Sequence, residues 1–553
     1  MESLVSPMAV LKWVLIAYVL FMGVRYLMVV RVYLMYAYRD GQVTPITRQQ
    51  LDPGALELLT SLDDSLAAAG FRHLGFAQTT PILTHYDKPG PYSVFVNEAI
   101  PAYAIVRPPY LPDYTALANL QLQTTLESGI DVATFNMRVS KAFIPPDMRV
   151  GAVPGLSIAT LVEVHQHRVA AAAVRDLPAR HTGFEDVLER LQTSLQGLRA
   201  HCRERGWTIP TSDSAVDRFT LWGALCLARS SLRVIGARPK GAQTKMARPV
   251  PTEAERRLRV EADMLAVMAV AENPERVPGT PWPLIAVAIA TALVSLVTMG
   301  WLWNFYVAAV VLAAVAFHEA GHAAAMRRFG YRDVHIFFVP LLGALTTGRP
   351  ATASVRDRLV VLLAGPVPGL WLGLILAVLE KTYFPGLLLR VAAPVLLVLN
   401  GLNLLPFTPL DGGRAMEVLT RPESIWRVVI HVVSALALIA LGIHFHDKLL
   451  AGIGGAWLSQ IPRQWQAYQL RRAVAAAAPD KTDFRAVARL TLETITANPR
   501  YASWRAATRQ ATARAFGRSF ADAPATSADR VWGAIAYASA WIPIGAWFLI
   551  RAS

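Results

Sequence analysis

The most constraining feature of this 553-residue chain is an uncharged stretch that ends in a cluster of ionisable side chains. Residues 277–317 carry no charge, and His318, Glu319 and His322 follow directly. A membrane-spanning helix needs about 20 apolar residues. The stretch is therefore long enough for two helices, with a turn near Trp301–Asn304. Ionisable groups inside a span are costly, so their presence there indicates a function.

The three ionisable residues form the pattern H-E-x-x-H. On a helix, His318 and His322 lie one turn apart on the same face, roughly 6 Å along the axis. This spacing suits two imidazoles that bind one zinc ion, with Glu319 beside the metal as a general base. The pattern is short and also occurs by chance, so other parts of the chain must support it.

The composition indicates a polytopic membrane protein with soluble parts attached. The chain is 54% hydrophobic and 17% charged, whereas soluble domains carry about 25% charged residues. The net charge of +15 is accompanied by no nucleic-acid-binding motif. Cytoplasmic loops rich in Lys and Arg explain the charge better. We therefore expect contact with the lipid bilayer and no nucleic-acid partner.

The fold class predicted for the chain is a polytopic α-helical membrane protein of about seven to eight spans, with an α+β soluble domain inserted after the first span. The loop 327–358 holds six Arg and two Asp, which predicts that it is cytoplasmic and that the H-E-x-x-H lies near that side. A basic tail on the same side requires a return crossing at 449–462. Five segments are predicted: an N-terminal anchor at 1–39, a cytoplasmic α+β domain at 40–276, a membrane core at 277–462, a basic helical cytoplasmic segment at 463–529 and a C-terminal span at 530–553.

The soluble domain begins β-rich and continues helical. Short alternating segments bounded by Pro, Gly and Asp predict strands at Tyr92–Val96, Tyr103–Val106, Asn119–Leu126 and Ile130–Arg138. Capping-box spacings predict helices that begin near Thr182 and Thr252. His165 and His167 are two residues apart and share no helix face, so we interpret both as solvated surface rather than as metal ligands. Cys202 and Cys226 are expected to be reduced.

A catalytic zinc site usually has three protein ligands and one position open to water, so a third ligand is needed. Asp411 is the favoured candidate, because it follows an uncharged helix and stands between prolines and two glycines that break that helix. His431, inside a later span, is the second candidate. The alternative interpretation of Asp411 is a simple turn, which the sequence Asp-Gly-Gly often forms.

Two motifs together resemble the site-2 protease family of intramembrane zinc metalloproteases. They are the H-E-x-x-H and the segment Asn403-Leu-Leu-Pro406-Phe-Thr-Pro409-Leu410-Asp411-Gly412, and the resemblance covers roughly residues 280–425. It implies a zinc ion bound by His318, His322 and Asp411, with Glu319 catalytic. It also implies that Asn403 helps to hold substrate.

The resemblance implies further features of the core. The segment 334–347 corresponds to the family's membrane-embedded hairpin, and His335 within it is not assigned to the metal. Gly365 and Pro366 match a Gly-Pro element of the intervening span. From the residues alone, the Gly-Pro-Val-Pro-Gly run at 365–369 is either a packing kink or a helix shaped for the close approach of a substrate or of a partner backbone.

The expected activity is therefore hydrolysis of membrane-spanning protein substrates in or near the bilayer, as in regulated intramembrane proteolysis, within a bacterial inner membrane. A catalytically silent receptor or scaffold of the same fold is the main alternative. A transporter would leave the pairing of two motifs as a coincidence, and no inverted repeat supports it. A zinc protease that faces the aqueous phase conflicts with the apolar segments that flank both motifs.

Overall fold

The computed structural model describes residues 22–552, apart from 24, 85–88, 98, 109–117, 138, 140–143, 146, 155, 174–175, 180–182, 214, 237–251, 270–281, 303, 340–342, 350–352, 384–385, 409, 445, 447, 479, 481, 502–503 and 523. Most of the predicted N-terminal anchor thus lies outside the described residues. The chain forms two compact units: one is Met1–Leu284 with Thr491–Arg514, the other Ile285–Leu490 with Ala515–Ser553. The finer division into five segments stays a prediction.

The first unit contains a seven-stranded sheet and a three-stranded sheet. The strands of the seven-stranded sheet lie side by side in chain order, from β2 (Val43–Ile46) to β8 (Met148–Ala152). All neighbouring pairs are antiparallel except the parallel pair of β7 (Asp131–Phe135) with β8. The predicted strands are confirmed as β4 to β7. The strands of this unit are β1 (Ala37–Arg39), β2 (Val43–Ile46), β3 (Phe71–Thr79), β4 (Gly90–Asn97), β5 (Ala102–Arg107), β6 (Asn119–Thr125), β7 (Asp131–Phe135), β8 (Met148–Ala152), β9 (Thr208–Pro210) and β10 (Val216–Phe219).

Helices cover both faces of the large sheet, which confirms an α+β domain. The helices are α1 (Pro53–Thr60), α2 (Asp63–Ala68), α3 (Ile158–Ala172), α4 (Phe184–Glu204), α5 (Leu221–Gly236) and α6 (Glu253–Ala269). Leu66 and Leu161 pack against Leu122 on one face, and Leu188 packs against Ile105 on the other. The predicted capping box of α6 is present, since Thr252 and Glu255 exchange side-chain-to-backbone bonds.

The interpretation of His165 as a solvated residue is wrong. Its side chain is 1% exposed, and its two ring nitrogens lie 3.0 Å and 2.9 Å from the hydroxyls of Thr124 and Thr134. Burial and the neighbouring Arg168 lower the pKa of His165 to about 4. The spacing of the two histidines excluded a shared helix face but did not show that α3 turns His165 towards β6 and β7. His167 is exposed, as predicted.

The described residues from Trp282 onwards are mainly helical, with one β-hairpin. The hairpin pairs β11 (Arg332–Val339) with β12 (Gly343–Arg349), which confirms the predicted hairpin. The helices are α7 (Trp282–Leu302), α8 (Phe305–Arg328), α9 (Val355–Leu363), α10 (Pro366–Thr382), α11 (Leu387–Asn403), α12 (Asp411–Leu419), α13 (Trp426–His444), α14 (Lys448–Leu458), α15 (Ile461–Ala477), α16 (Phe484–Ala497), α17 (Ala506–Ala521), α18 (Ser527–Ser539) and α19 (Ile542–Ala552).

The predicted turn between the first two of these helices is confirmed. α7 ends at Leu302 and α8 begins at Phe305. Asn304 caps α8, because its side-chain oxygen accepts a hydrogen bond from the backbone N–H of Tyr306 at 2.7 Å. An N-terminal cap of this kind satisfies a backbone donor that the helix itself leaves unpaired, so the cap fixes where α8 starts.

Several helices have the length and composition of membrane spans. Within the described residues, four helical stretches are long and apolar enough to cross a membrane. They are Phe305–Arg328 (α8), Val355–Thr382 (α9 together with α10), Trp426–His444 (α13) and Ser527–Arg551 (α18 together with α19). Val287–Trp301 and Leu387–Asn403 are shorter apolar helices. The outward face of α7 carries large apolar side chains one turn apart, with Ile289 50%, Leu293 55% and Val297 58% exposed. Such a stripe is expected of a surface that contacts lipid. The count of seven to eight spans stays a prediction.

α14 returns the chain towards the end at which α13 begins. His431, near the start of α13, contacts the carbonyl oxygen of Trp457 at the end of α14 at 3.0 Å. Further along, a Cβ on Gly442 would lie 2.4 Å from the backbone nitrogen of Ala451, so glycine permits the close antiparallel packing. This arrangement is consistent with the return crossing predicted at 449–462.

The last two helices pack against α11 and α12, which flank the second motif. The hydroxyl of Tyr537 on α18 donates a hydrogen bond to the carbonyl oxygen of Leu404, which directly follows α11. A Cβ on Gly533 of α18 would lie 2.5 Å from Leu419 at the end of α12. A Cβ on Gly401 of α11 would lie 2.7 Å from Ile544 of α19. The C-terminal helices therefore brace α11 and α12 on either side of the loop between them.

Candidate metal centre

Three buried side chains converge where α8 meets the start of α12. His318 and His322 lie one turn apart on α8, and Asp411 is the first residue of α12. The Nε2 atoms of the two histidines are 3.1 Å apart, and each lies 3.1 Å from Oδ2 of Asp411. Among the described residues, these three form a group whose potential metal-binding atoms all lie within 4.8 Å of one another. The structure thus brings together the three ligands predicted from the sequence.

The second nitrogen of each ring fixes the tautomer. Nδ1 of His318 lies 2.7 Å from Oδ1 of Asn400, and Nδ1 of His322 lies 2.7 Å from the carbonyl oxygen of Val361. The amide of Asn400 is oriented by its Nδ2, which donates to the carbonyl oxygen of Leu396. Both partner oxygens are acceptors, so both Nδ1 atoms carry the proton in a neutral ring. The two Nε2 atoms therefore present lone pairs to each other and to the carboxylate.

A zinc ion fits this donor set. Three acceptor atoms at 3.1 Å from one another repel unless a proton or a cation lies between them. Zn–N and Zn–O bonds of about 2.0–2.1 Å in a tetrahedron give ligand-to-ligand distances of about 3.3 Å. Two imidazole nitrogens and one carboxylate oxygen are also a usual ligand set for a catalytic zinc, which keeps its fourth position open.

Asn400 is a functional residue that the sequence analysis did not assign. It is fully buried on α11 and contacts His318, whereas Asn403, the residue predicted to bind substrate, donates from Nδ2 to the carbonyl oxygen of Leu399 at 3.0 Å. Both are amides in the uncharged stretch 391–410, which was the available signal. Which of the two faces the centre depends on how α11 is rotated against α8. The substrate role of Asn403 stays a prediction.

Replacing Asn400 by Leu should weaken zinc binding by roughly 10- to 100-fold, the usual cost of losing a residue that orients a metal-binding histidine. The matched variant Asn403→Leu should leave zinc affinity unchanged, because its amide contacts the backbone of its own helix. Competition against a zinc-binding dye measures both affinities. An equal loss in the two variants would show that the effect comes from α11 as a whole and not from the contact with His318.

Glu319 lies beside the centre and is held by the hairpin. Its side chain is buried, and its Oε2 accepts a hydrogen bond from the hydroxyl of Thr346 on β12 at 2.5 Å. The same hydroxyl lies 3.2 Å from the carbonyl oxygen of Glu319. The hairpin therefore orients the carboxylate of Glu319, which is not itself one of the three converging groups. The sequence offered no signal for Thr346, because its position follows from the pairing of β11 with β12.

Glycines allow the helices of the centre to approach closely. A Cβ on Gly365 would lie 2.3 Å from Nε2 of His322, and one on Gly369 would lie 2.3 Å from Nδ2 of Asn400. Pro366 starts α10, since its missing N–H is tolerated at the first position of a helix. The Gly-Pro-Val-Pro-Gly run therefore makes room for side chains of the centre, and its role in the approach of a substrate stays a prediction.

Gly321→Ala should disrupt the centre although residue 321 is not a ligand. A Cβ there would lie 2.0 Å from the backbone carbonyl oxygen of Ala364, so α8 must shift, and His318 and His322 with it. We expect a large loss of zinc and of thermal stability, measured by elemental analysis and unfolding midpoint. The control Gly452→Ala on α14 meets nothing within 4 Å and should stabilise slightly, because Ala is the better helix former. Equal behaviour of the two would contradict the close packing.

The other histidines considered for the metal lie elsewhere. His431 contacts the carbonyl oxygen of Trp457 and packs against the ring of Phe407, with ring centroids 5.7 Å apart. His335 lies on β11 and does not belong to the three-residue group.

Gly412 and Gly413, the second and third residues of α12, pack against the loop that precedes Asp411. A Cβ on Gly412 would lie 2.0 Å from a backbone atom of Leu404, and a Cβ on Gly413 would lie 2.0 Å from a backbone atom of Phe407. The two glycines therefore let α12 begin against that loop.

Comparisons with known proteins find similarity over part of the chain. Residues 306–393 match the model of Peptidase family M50. Rip3 of Mycobacterium tuberculosis, by its name a proposed zinc metalloprotease, is 33% identical over an alignment of 177 residues, and the match covers 29% of this chain and 44% of Rip3. Stage IV sporulation protein FB of Bacillus subtilis is 29% identical over 110 residues, 20% of this chain and 38% of that protein. The chain thus spans less than half the length of these relatives.

A solved structure, the Site-2 Protease from Methanocaldococcus jannaschii, matches with a TM-score of 0.24 and 19% identity over 32% of this chain and 87% of that chain. Two buried histidines and one carboxylate beside a glutamate form a donor set of the kind that holds a catalytic zinc ion. The family match and the relatives confirm the resemblance to the site-2 protease family of M50 peptidases.

Proposed function

We propose that this protein is a zinc metalloendopeptidase that cleaves membrane-spanning proteins within or near the bilayer. One observation carries the proposal: three lone-pair ligands converge beside Glu319, and α8, which carries two of them, exposes the large apolar side chains of Phe305 and Phe317. The name of the relative Rip3 supports the reaction class. The apolar surroundings of both motifs support a substrate that is itself in the membrane.

His318, His322 and Asp411 would hold the zinc ion. When bound, zinc lowers the pKa of a coordinated water to about 7 and polarises a carbonyl group. Glu319 accepts the proton of the attacking water at its carboxylate and delivers it to the leaving amine. Thr346 keeps that carboxylate oriented through its bond to Oε2. Asn400 and the carbonyl group of Val361 keep both imidazoles in the tautomer that directs Nε2 at the centre.

The substrate class follows from the surroundings of the centre. A spanning helix hides its amides in its own hydrogen bonds and must unwind locally before a peptide bond can be attacked. The freed backbone groups then need partners inside the protein. Asn403, half-buried one turn from Asn400 on α11, is our proposed contact for them.

The excess of Arg over acidic residues in the loop 327–358 supports a cytoplasmic position for the centre. We place the protein in a bacterial inner membrane, with the 40–276 domain and the 463–529 segment on the same side as the centre.

Removal of zinc tests the proposal. In isolated membranes that contain the protein, labelling of new N-termini should reveal cleavage within or beside apolar segments of membrane proteins. A zinc chelator should reduce the appearance of these N-termini at least about 100-fold, and stoichiometric zinc should restore it, because the metal supplies both the water activation and the carbonyl polarisation.

Two outcomes of this experiment would contradict the proposal. If the same N-termini appear at full rate after zinc has been removed, the protease is not this centre. If elemental analysis finds one zinc per chain but no zinc-dependent N-termini arise, the protein is a silent scaffold of the same fold. Membranes that lack the protein serve as the control.

A further inference from the structure

We propose that a second site, formed at the ends of α10, α11 and α19, binds the anionic headgroup of a phospholipid. A cavity of about 250 Å³ lies there within the second unit, lined by residues of these three helices. Its volume is slightly below the ~300 Å³ lower end of small-molecule pockets. The lining residues are not those of the metal centre. The inference rests on the membrane placement in the proposed function and not on catalysis.

The cavity carries an excess of positive charge. Lys381 of α10, Arg390 of α11 and Arg551 of α19 line it together with one acid, Glu380. Arg390 donates from Nε to Oε1 of Glu380 at 3.3 Å, and this contact involves one of the five N–H donors of a guanidinium. Two net positive charges thus remain around a space of headgroup size. Phosphate matches the planar donor arrangement of Arg in particular.

Helix dipoles do not account for all three cations. Lys381 and Arg551 lie in the last turns of α10 and α19, where a cation is favourable, and Lys381 donates to the carbonyl oxygen of Ile550 at 2.7 Å. Arg390 lies in the first turn of α11, where the dipole disfavours a cation and favours an anion. An anion held between Arg390 and Arg551 would offset this unfavourable placement.

The remaining lining is apolar, which distinguishes a lipid from a free anion. Ala393 and Pro394 form one wall, and Trp547 forms another with Arg551 stacked 5.0 Å from the centre of its ring. Tyr383, directly after α10, and Leu387 and Leu388, at the start of α11, are each more than half exposed. Trp and Tyr are typical of the membrane interface. A molecule with an anionic head and apolar chains fits both the cations and these surfaces.

Lipid binding to the full-length protein tests this proposal. In neutral detergent, titration with phosphatidylglycerol should give retention of one lipid per chain by native mass spectrometry and a higher unfolding midpoint than phosphatidylcholine gives. The variant Arg390→Gln with Arg551→Gln should bind phosphatidylglycerol roughly 10- to 30-fold more weakly, as expected for two membrane-proximal cations. Lys381 is left intact because it holds the end of α19.

Arg421→Gln with Arg463→Gln removes the same charge from two exposed positions outside the cavity and should bind like the wild type. Unchanged zinc content verifies that each variant is folded, and it separates a failure of this site from a failure of the metal centre. Equal binding by the wild type and the Arg390 and Arg551 variant would overturn the proposal. An equal rise in unfolding midpoint with inorganic phosphate would show a free-anion site and would overturn it as well.

Discussion

Glu319→Gln should reduce cleavage by about 100- to 10,000-fold and leave the zinc content at one ion per chain. General acid–base catalysis typically contributes this factor. Glutamine has the same shape, and its carbonyl oxygen can still accept the bond from the Thr346 hydroxyl. The residue lies outside the three-ligand group, so its charge is not needed to hold the metal. The measurements are elemental analysis and the rate at which new N-termini appear in membrane proteins.

The matched control is Glu417→Gln on α12, whose partly exposed side chain lies 3.8 Å from Arg427 and outside the centre. It should cleave at the wild-type rate. If Glu319→Gln cleaves as fast as the control, Glu319 is not the base. If it loses zinc, Glu319 acts on the metal site and its catalytic assignment is wrong.

Asp411→Asn should remove zinc binding and cleavage together. The substitution keeps the size of the side chain but replaces a charged oxygen, 3.1 Å from both Nε2 atoms, by a neutral amide. Loss of a residue that merely orients a ligand costs 10- to 100-fold in affinity. Loss of a charged ligand should therefore exceed about 100-fold. Equilibrium dialysis at buffered zinc concentrations measures the effect.

Asp480→Asn, at an exposed position of the same unit, is the control and should bind zinc as the wild type does. Normal zinc affinity of Asp411→Asn would exclude Asp411 as the third ligand. His431 would not replace it without a rearrangement, because its ring is engaged with Trp457 and Phe407.

Sequence patterns predicted the local parts of the centre well, for identifiable reasons. The spacing of His318 and His322 is a property of one helix, so it survives in any fold that keeps that helix. Asp411 could be predicted because the prolines and glycines around it indicate a break in an apolar helix. The boundaries of α7 and α8 and the β11–β12 hairpin follow from similar local signals.

Contacts that depend on how separate elements pack were not predicted from the sequence. They are the contact of Asn400 with His318, the contact of Thr346 with Glu319, and the burial of His165. Asn400 and Asn403 are three residues apart on α11, and a small rotation of that helix decides which amide meets His318. Thr346 reaches Glu319 only because of the register of the hairpin. His165 is buried because α3 packs against the sheet, which a rule about helix faces does not address.

The bond from Tyr537 to the backbone of Leu404 has a practical consequence for the minimal enzyme. The family match ends at residue 393, yet the helices that brace the loop before Asp411 begin more than a hundred residues later, at Ser527. A chain truncated before α18 would retain every proposed site residue and still lose the contact that holds the loop before Asp411. Tests of the proposed activity should therefore use the full chain and not only the segment that matches the family.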